Sequence, residues 1–143
     1  FAAWGAWMPR LVSSGWTAVR IMSWGVPPAL GLLVLNAWLG PAAGALHWAA
    51  WCVACTSVSV SQPAVGAAFP AAQAGRALSA FNLVIFSGVF TVQWGIGLLV
   101  DLLRSLGWPE VAAFQGATAA LAACCALSYA WFRWRGRPAA TVR

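Results

Sequence analysis

Thiols, imidazoles and carboxylates carry most protein chemistry, and this chain has few of them: four Cys, one His and two acids in 143 residues. Cys52-x-x-Cys55 has the spacing of a redox or zinc motif. Both chemistries need a thiolate, and an ionised sulfur inside an uncharged apolar stretch is severely disfavoured. The pair is read as small apolar side chains in helix packing, and so is Cys124-Cys125. His47 stands beside the Gly40-Pro41 turn and reads as an ordinary interfacial histidine. Asp101 and Arg104 can pair near a helix end, which for exposed charges contributes about 0 to 1 kcal/mol and suggests positioning. No nucleophile has a base in reach, and no Gly-x-Ser-x-Gly elbow, metal-spaced cluster or phosphate-binding glycine loop occurs. The expectation is a protein that is not an enzyme, holds no metal or cofactor and is not driven by ATP.

Neutral polar side chains in apolar runs are the remaining candidates. Asn82 and Gln93 are eleven residues apart, within about 20° of each other on a 3.6-residue helix, with Phe86 and Val89 between them on the same stripe. An amide in hydrocarbon costs free energy unless it finds a partner, so the stripe must face protein or a water-filled cavity. Substrate contact and an interhelical hydrogen bond both satisfy that demand. Cys55, Ser59 and Gln62 form a second stripe, for which close packing is preferred and cavity lining is the alternative. Ser87, Thr91 and Gly95 make a small-residue ridge suited to packing.

These residues need elements to position them, and composition says in which solvent. Hydrophobic residues are 62% of the chain and charged ones 7%, with a mean hydropathy of +0.80, whereas soluble domains carry about 25% charged residues. So few charges cannot wet a body of this size. The net charge of +6 comes without any Lys, and the Trp residues lie inside apolar runs instead of alternating with basic ones, so nucleic acid is not the expected partner. Residues 21–75, 77–100 and 111–132 lack Asp, Glu, Lys and Arg. The first stretch is too long for one crossing and is divided by Gly40-Pro41. Four spans follow, at about 21–40, 43–63, 77–100 and 111–132, with Pro63 and Pro70 marking an irregular exit from the second. The runs are apolar on both alternations, which excludes membrane strands. Pro27-Pro28 should kink or delay the first span unless neighbours cover the freed carbonyls. The nine residues before Arg10 are too few to cross and do not form a signal peptide; they read as the end of a truncated span. The predicted fold is an all-α membrane protein with four full transmembrane helices plus a truncated one. Residues 1–20 are the truncated end and a loop, 21–133 the transmembrane region and 134–143 a basic tail.

Four crossings place Arg10, Arg20, Arg76, Arg133, Arg135, Arg137 and Arg143 on one face and Arg104 alone on the other. The positive-inside rule then makes the Arg-rich face and the carboxyl terminus cytoplasmic, in a plasma (inner) membrane. Trp38 and Trp48 on one side, with Trp24, Trp131 and Trp134 on the other, fall where interfacial aromatic belts belong.

Two segments share a frame: Gly5-x-x-x-Pro9-Arg10-x-x-x-x-Gly15 and Gly97-x-x-x-Asp101-x-x-Arg104-x-x-Gly107. They lie three spans apart on opposite faces, as an inverted repeat of three-helix units predicts. With Ala74-Gly75-Arg76-Ala77-Leu78-Ser79-Ala80-Phe81-Asn82, running into Gly88, Gln93, Gly95, Gly97 and Asp101, the sequence resembles the major facilitator superfamily from about the end of its eighth helix through its twelfth. Pro9 stands where that family's loop usually carries an acid. The resemblance implies that the span at 77–100 is the eleventh helix and, with the tenth, borders a central substrate cavity. Asn82, Phe86, Gln93, Ser59 and Gln62 are then candidate cavity residues, and Arg76, Gly97, Asp101 and Arg104 loop or gating residues. It also implies small-solute transport by alternating access, with the bilayer, the solute and the transporter's amino-terminal helices as partners. The competing expectation is a self-contained four-helix membrane protein acting as a dimeric small carrier or a scaffold.

Overall fold

A computed structural model describes residues 10, 11 and 13–135. Among these residues every regular element is helical: α1 (Ala18–Leu39), α2 (Ala45–Cys55), α3 (Ser61–Ala67), α4 (Ala71–Ser105) and α5 (Glu110–Arg135), with 3-10 turns at Gly40–Ala42 and Thr56–Val60. Three of them, α1 with its following turn, α4 and α5, are long and apolar enough to cross a membrane. The Gly5–Pro9 half of the first repeated frame and residues 136–143 of the basic tail lie outside the described residues.

Helix α1 begins where Thr17 Oγ1 accepts a hydrogen bond from the Arg20 amide at 3.2 Å, which satisfies one of the donors a helix start leaves free. It then runs through Pro27 and Pro28 without a break. Proline at 27 removes the N–H that would bond the Ser23 carbonyl. The Tyr129 hydroxyl, reaching across from α5, donates to that carbonyl at 2.7 Å instead, so the expected cover for the freed group is present. Gly40 ends the helix with φ +54° and an N–H bonded to the Asn36 carbonyl; a side chain at that φ would be strained. A second tie closes this end, because Gln115 Nε2 of α5 donates to the carbonyls of Ala37 and Trp38, both at 3.1 Å.

The stretch expected to form one span at 43–63 is built from α2, five residues of 3-10 helix and α3 in succession. Its sequence explains the tightening. Thr56, Ser57, Ser59 and Ser61 each donate a hydroxyl to the carbonyl three residues back, at 2.6 to 2.9 Å. Those hydroxyls compete for the backbone acceptors, and Pro63 withholds the N–H that Ser59 would have received.

The other spans are longer than their charge-free runs, and α4 most of all. Its 35 residues reach about 52 Å, against a hydrocarbon core of about 30 Å. It starts after Pro70, whose carbonyl accepts from Gln73 and Ala74. It ends where Gly107, at φ +88°, lets the Trp108 and Gly107 amides turn back onto Leu103 and Arg104. Arg76, Gly97, Asp101 and Arg104, expected in or beside loops, therefore lie on helix α4.

Helices α1 and α5 run antiparallel, and so do α3 and α4. Residues 23 and 37 of α1 meet 129 and 115 of α5, and residues 62 and 66 of α3 meet 82 and 78 of α4. Arg20, Arg76, Arg133 and Arg135 thus gather toward one end, and Asp101, Arg104 and Glu110 toward the other. Arg20 stacks on Trp16 and Arg135 on Trp131, each 4.9 Å from the ring centroid.

Packing is inverted relative to a water-soluble domain. Buried positions are mostly small or medium: Ala29, Ala37, Ala113, Ala117, Ala122, Val60 and Val100. Large apolar side chains point outward, with Leu46 84%, Trp38 77% and Phe86 71% exposed. Small residues let helix backbones approach, and lipid covers the rest. Gly25 shows the limit, since a Cβ there would overlap the Cβ and Oγ of Ser57. The chain is thus an all-helical protein suited to a membrane.

Candidate transport surface

The two polar stripes meet. Gln62 Nε2, in the first turn of α3, donates to Asn82 Oδ1 in α4 at 3.1 Å. An amide pair of this kind gives each side chain the partner that hydrocarbon would deny it. The interhelical reading of Asn82 is therefore realised between two residues that spacing alone had placed on separate stripes. Ser59 is partly buried and donates its hydroxyl to the Thr56 carbonyl at 2.6 Å.

Beyond Asn82 the surface is different. From Leu83 to Gly95 every residue of α4 is exposed, among them Phe86, Ser87, Phe90, Thr91, Gln93 and Trp94. One end of the helix is held by α3 and the other by α5, where Val100, Ile96, Leu99 and Leu103 pack on Ala113 and Ala117. The middle is exposed along its whole length. Thr91 ties its hydroxyl to the Ser87 carbonyl at 2.8 Å, whereas the Gln93 side-chain amide has no hydrogen-bond partner among the described residues. Gln93 is thus on the open section and Asn82 on the closed one, so the stripe they were expected to share is split between two environments.

Asp101 and Arg104 stand exposed on the last turns of α4 without an ion pair between them, and Arg76 is exposed near its start. The four cysteines are free, and no cluster of metal-ligating side chains occurs among the described residues. Spacing arguments missed three polar residues at the α1–α5 seam: Gln115 and Tyr129, which tie the two helices, and Asn36, which is buried without a hydrogen-bond partner. For Gln115 and Tyr129 the signal was available, because each is a strong hydrogen-bonding group inside an apolar run, and Tyr129 lies opposite a Pro-Pro pair that must leave carbonyls free.

No family model, no curated protein and no solved structure matches the chain.

Proposed function

We propose that the chain is part of a secondary transporter of the major facilitator type and that α4 borders its solute path. The observation that carries this reading is the bare middle of α4. Its ends are fixed by α3 and α5, while thirteen successive residues, Leu83–Gly95, are exposed on every face and include Gln93, Ser87 and Thr91. Lipid suits Leu83, Val84 and Phe90, but an unpartnered Gln93 needs water, solute or another helix. A helix clamped at both ends and open between them fits the wall of a cavity completed by further helices.

In this reading the segment 45–67 is a fourth crossing. Its 11, 5 and 7 residues span about 37 Å at the rises of α and 3-10 helix, enough for the hydrocarbon core. The arginine-bearing end faces the cytoplasm of a cell whose plasma membrane holds the protein, and the carboxyl terminus is inside. The second reading, a four-helix protein that dimerises as a small carrier or scaffold, draws on the same bare section through the Ser87, Thr91 and Gly95 ridge.

The test is water access. In a background with the native cysteines replaced, Gln93→Cys, Leu83→Cys and Phe90→Cys are treated in bilayers with a membrane-impermeant thiol reagent. A cavity predicts fast labelling of Gln93→Cys, slowed by transported solute in the transporter that contains this chain. Uniformly unreactive positions, together with a disulfide-linked dimer at Thr91→Cys, would reject transport in favour of self-association.

A further inference from the structure

The end of the bundle that gathers the arginines holds a site that the transport reading does not use, and this site requires only that the chain sits in a bilayer. There α1 and α5 flank a cleft of about 510 Å³ lined by Ser23, Trp24, Pro27, Pro28, Tyr129 and Arg133. A second cleft of about 450 Å³, bounded by Trp134, shares Tyr129 and Arg133 with the first, so Arg133 borders both.

Charge decides what such a cleft takes. The chain has only two acids, and both lie at the far end of the bundle. Glu110 opens α5 and Arg133 belongs to its last turn, a separation of about 35 Å at 1.5 Å per residue. Asp101 follows Val100, which packs near the start of α5 on Ala113 and Ala117. Charges so far apart are screened, because the Debye length is about 8 Å at physiological salt. No carboxylate side chain of this chain can therefore neutralise Arg133. Its neighbours differ in being engaged: Arg20 stacks on Trp16, and Arg135 on Trp131 and Trp134. Arg133 has no ring or ion-pair partner among the described residues.

The other polar groups on the two linings are neutral. Tyr129 gives its hydroxyl hydrogen to the Ser23 carbonyl at 2.7 Å. The Ser23 hydroxyl and the indole N–H groups of Trp24 and Trp134 add donors, and Pro28 denies the Trp24 carbonyl its usual helix donor, which leaves an acceptor. The sole charge on the linings is positive, so the counter-ion is an anion. An ammonium would meet no carboxylate here and would be repelled by Arg133.

The wall of the first cleft identifies the source of that anion. From Arg133 it passes the Tyr129–Ser23 hydrogen bond and reaches Pro28, about 13 Å along the bundle at 1.5 Å per residue. It thus descends from the headgroup level into hydrocarbon, and its deep part is apolar. An inorganic anion engages the guanidinium alone, whereas a phospholipid engages both ends.

We propose that this cleft binds a phospholipid of net negative charge, with its phosphate on Arg133 and its glycerol and upper acyl chain along Trp24, Pro27 and Pro28. The planar guanidinium fork matches phosphate oxygens, and basic pockets between membrane helices suit anionic headgroups.

The test is native mass spectrometry of the full chain in detergent, titrated with phosphatidylglycerol or phosphatidylcholine. A saturable adduct of one phosphatidylglycerol is expected, about fivefold or more tighter than that of phosphatidylcholine, the factor one arginine near a lipid phosphate contributes. Arg133 is exposed, so Arg133→Gln leaves the packing intact and should abolish the preference. Arg76→Gln removes the same charge from the same end but away from the cleft, and should preserve it. Millimolar inorganic phosphate should not displace the lipid; displacement would assign the site to free phosphate and overturn the proposal. Equal affinity for the two lipids, or equal losses in Arg133→Gln and Arg76→Gln, would leave only diffuse charge at this end and overturn it as well.

Discussion

The seam between α1 and α5 and the middle of α4 are both built from apolar helix, but only the seam is locked. Along α1–α5, small residues bring the backbones together, and Tyr129 and Gln115 reach across to carbonyls of the partner helix. Each anchor answers a backbone defect: Pro27 frees the Ser23 carbonyl, and the helix end at Gly40 frees those of Ala37 and Trp38. The middle of α4 has no proline, keeps its own backbone satisfied and offers no free backbone acceptor to a neighbour. Hydrocarbon gives little reason for two apolar helices to associate, so packing and unsatisfied polar groups decide where they do.

The comparison breaks most visibly at Gly25, where α1 touches the 3-10 segment. Gly25→Val should destabilise the chain by about 1–3 kcal/mol through overlap with Ser57, measured by reversible unfolding in bicelles. Adding Ser57→Gly should recover much of the loss. Gln115→Leu comes next, at about 1–2 kcal/mol, because two helix-end carbonyls lose their donor. If it costs nothing, the seam is held by packing alone. Tyr129→Phe should cost about 1 kcal/mol. In a Pro27→Ala background that cost should shrink, since the alanine amide supplies the N–H that the Ser23 carbonyl lacks; an unchanged cost would separate the tyrosine from the proline defect.

The charge-free stretches, the Gly40-Pro41 turn and the need to cover carbonyls around Pro27-Pro28 were all legible in the residues. Span ends were not, because a helix does not stop where charges begin: Arg76, Asp101 and Arg104 remain helical, and the real stops are Pro70 and Gly107. The break in 45–67 was half legible. Its Ser/Thr residues suggest a packing stripe, but their back-bonding depends on hydroxyl rotation and on Pro63 further along. Gln62 and Asn82 each stand out as amides in apolar runs, whereas their pairing required knowing that α3 and α4 run antiparallel across a three-residue connection. Asn36 gives no such signal, because one amide in a long apolar run has no periodicity to announce it.

The Gln62–Asn82 pair supplies an intermediate case between locked seam and bare helix. A double-mutant cycle of Gln62→Ala and Asn82→Ala should return a coupling of about 0.6 kcal/mol, the usual size for a membrane hydrogen bond. A coupling near zero would place Asn82 with Gln93 on the open section and restore the single stripe that their spacing suggests.

The smallest stability effect belongs to the middle of α4, and there the comparison is sharpest. Phe86 is 71% exposed and touches no other helix of this chain among the described residues, so Phe86→Ala should change the unfolding free energy of the isolated chain by no more than about 0.5 kcal/mol, as an unpacked surface position does. An aromatic residue of the same size in a packed seam would cost about 3–5 kcal/mol. If the proposed transport function holds, the same substitution should act on transport instead, because the surface that is idle in the isolated chain would then be the one in use. A large stability loss in the isolated chain would mean that another part of the chain or a second copy already covers α4, and the contrast between its middle and the α1–α5 seam would disappear.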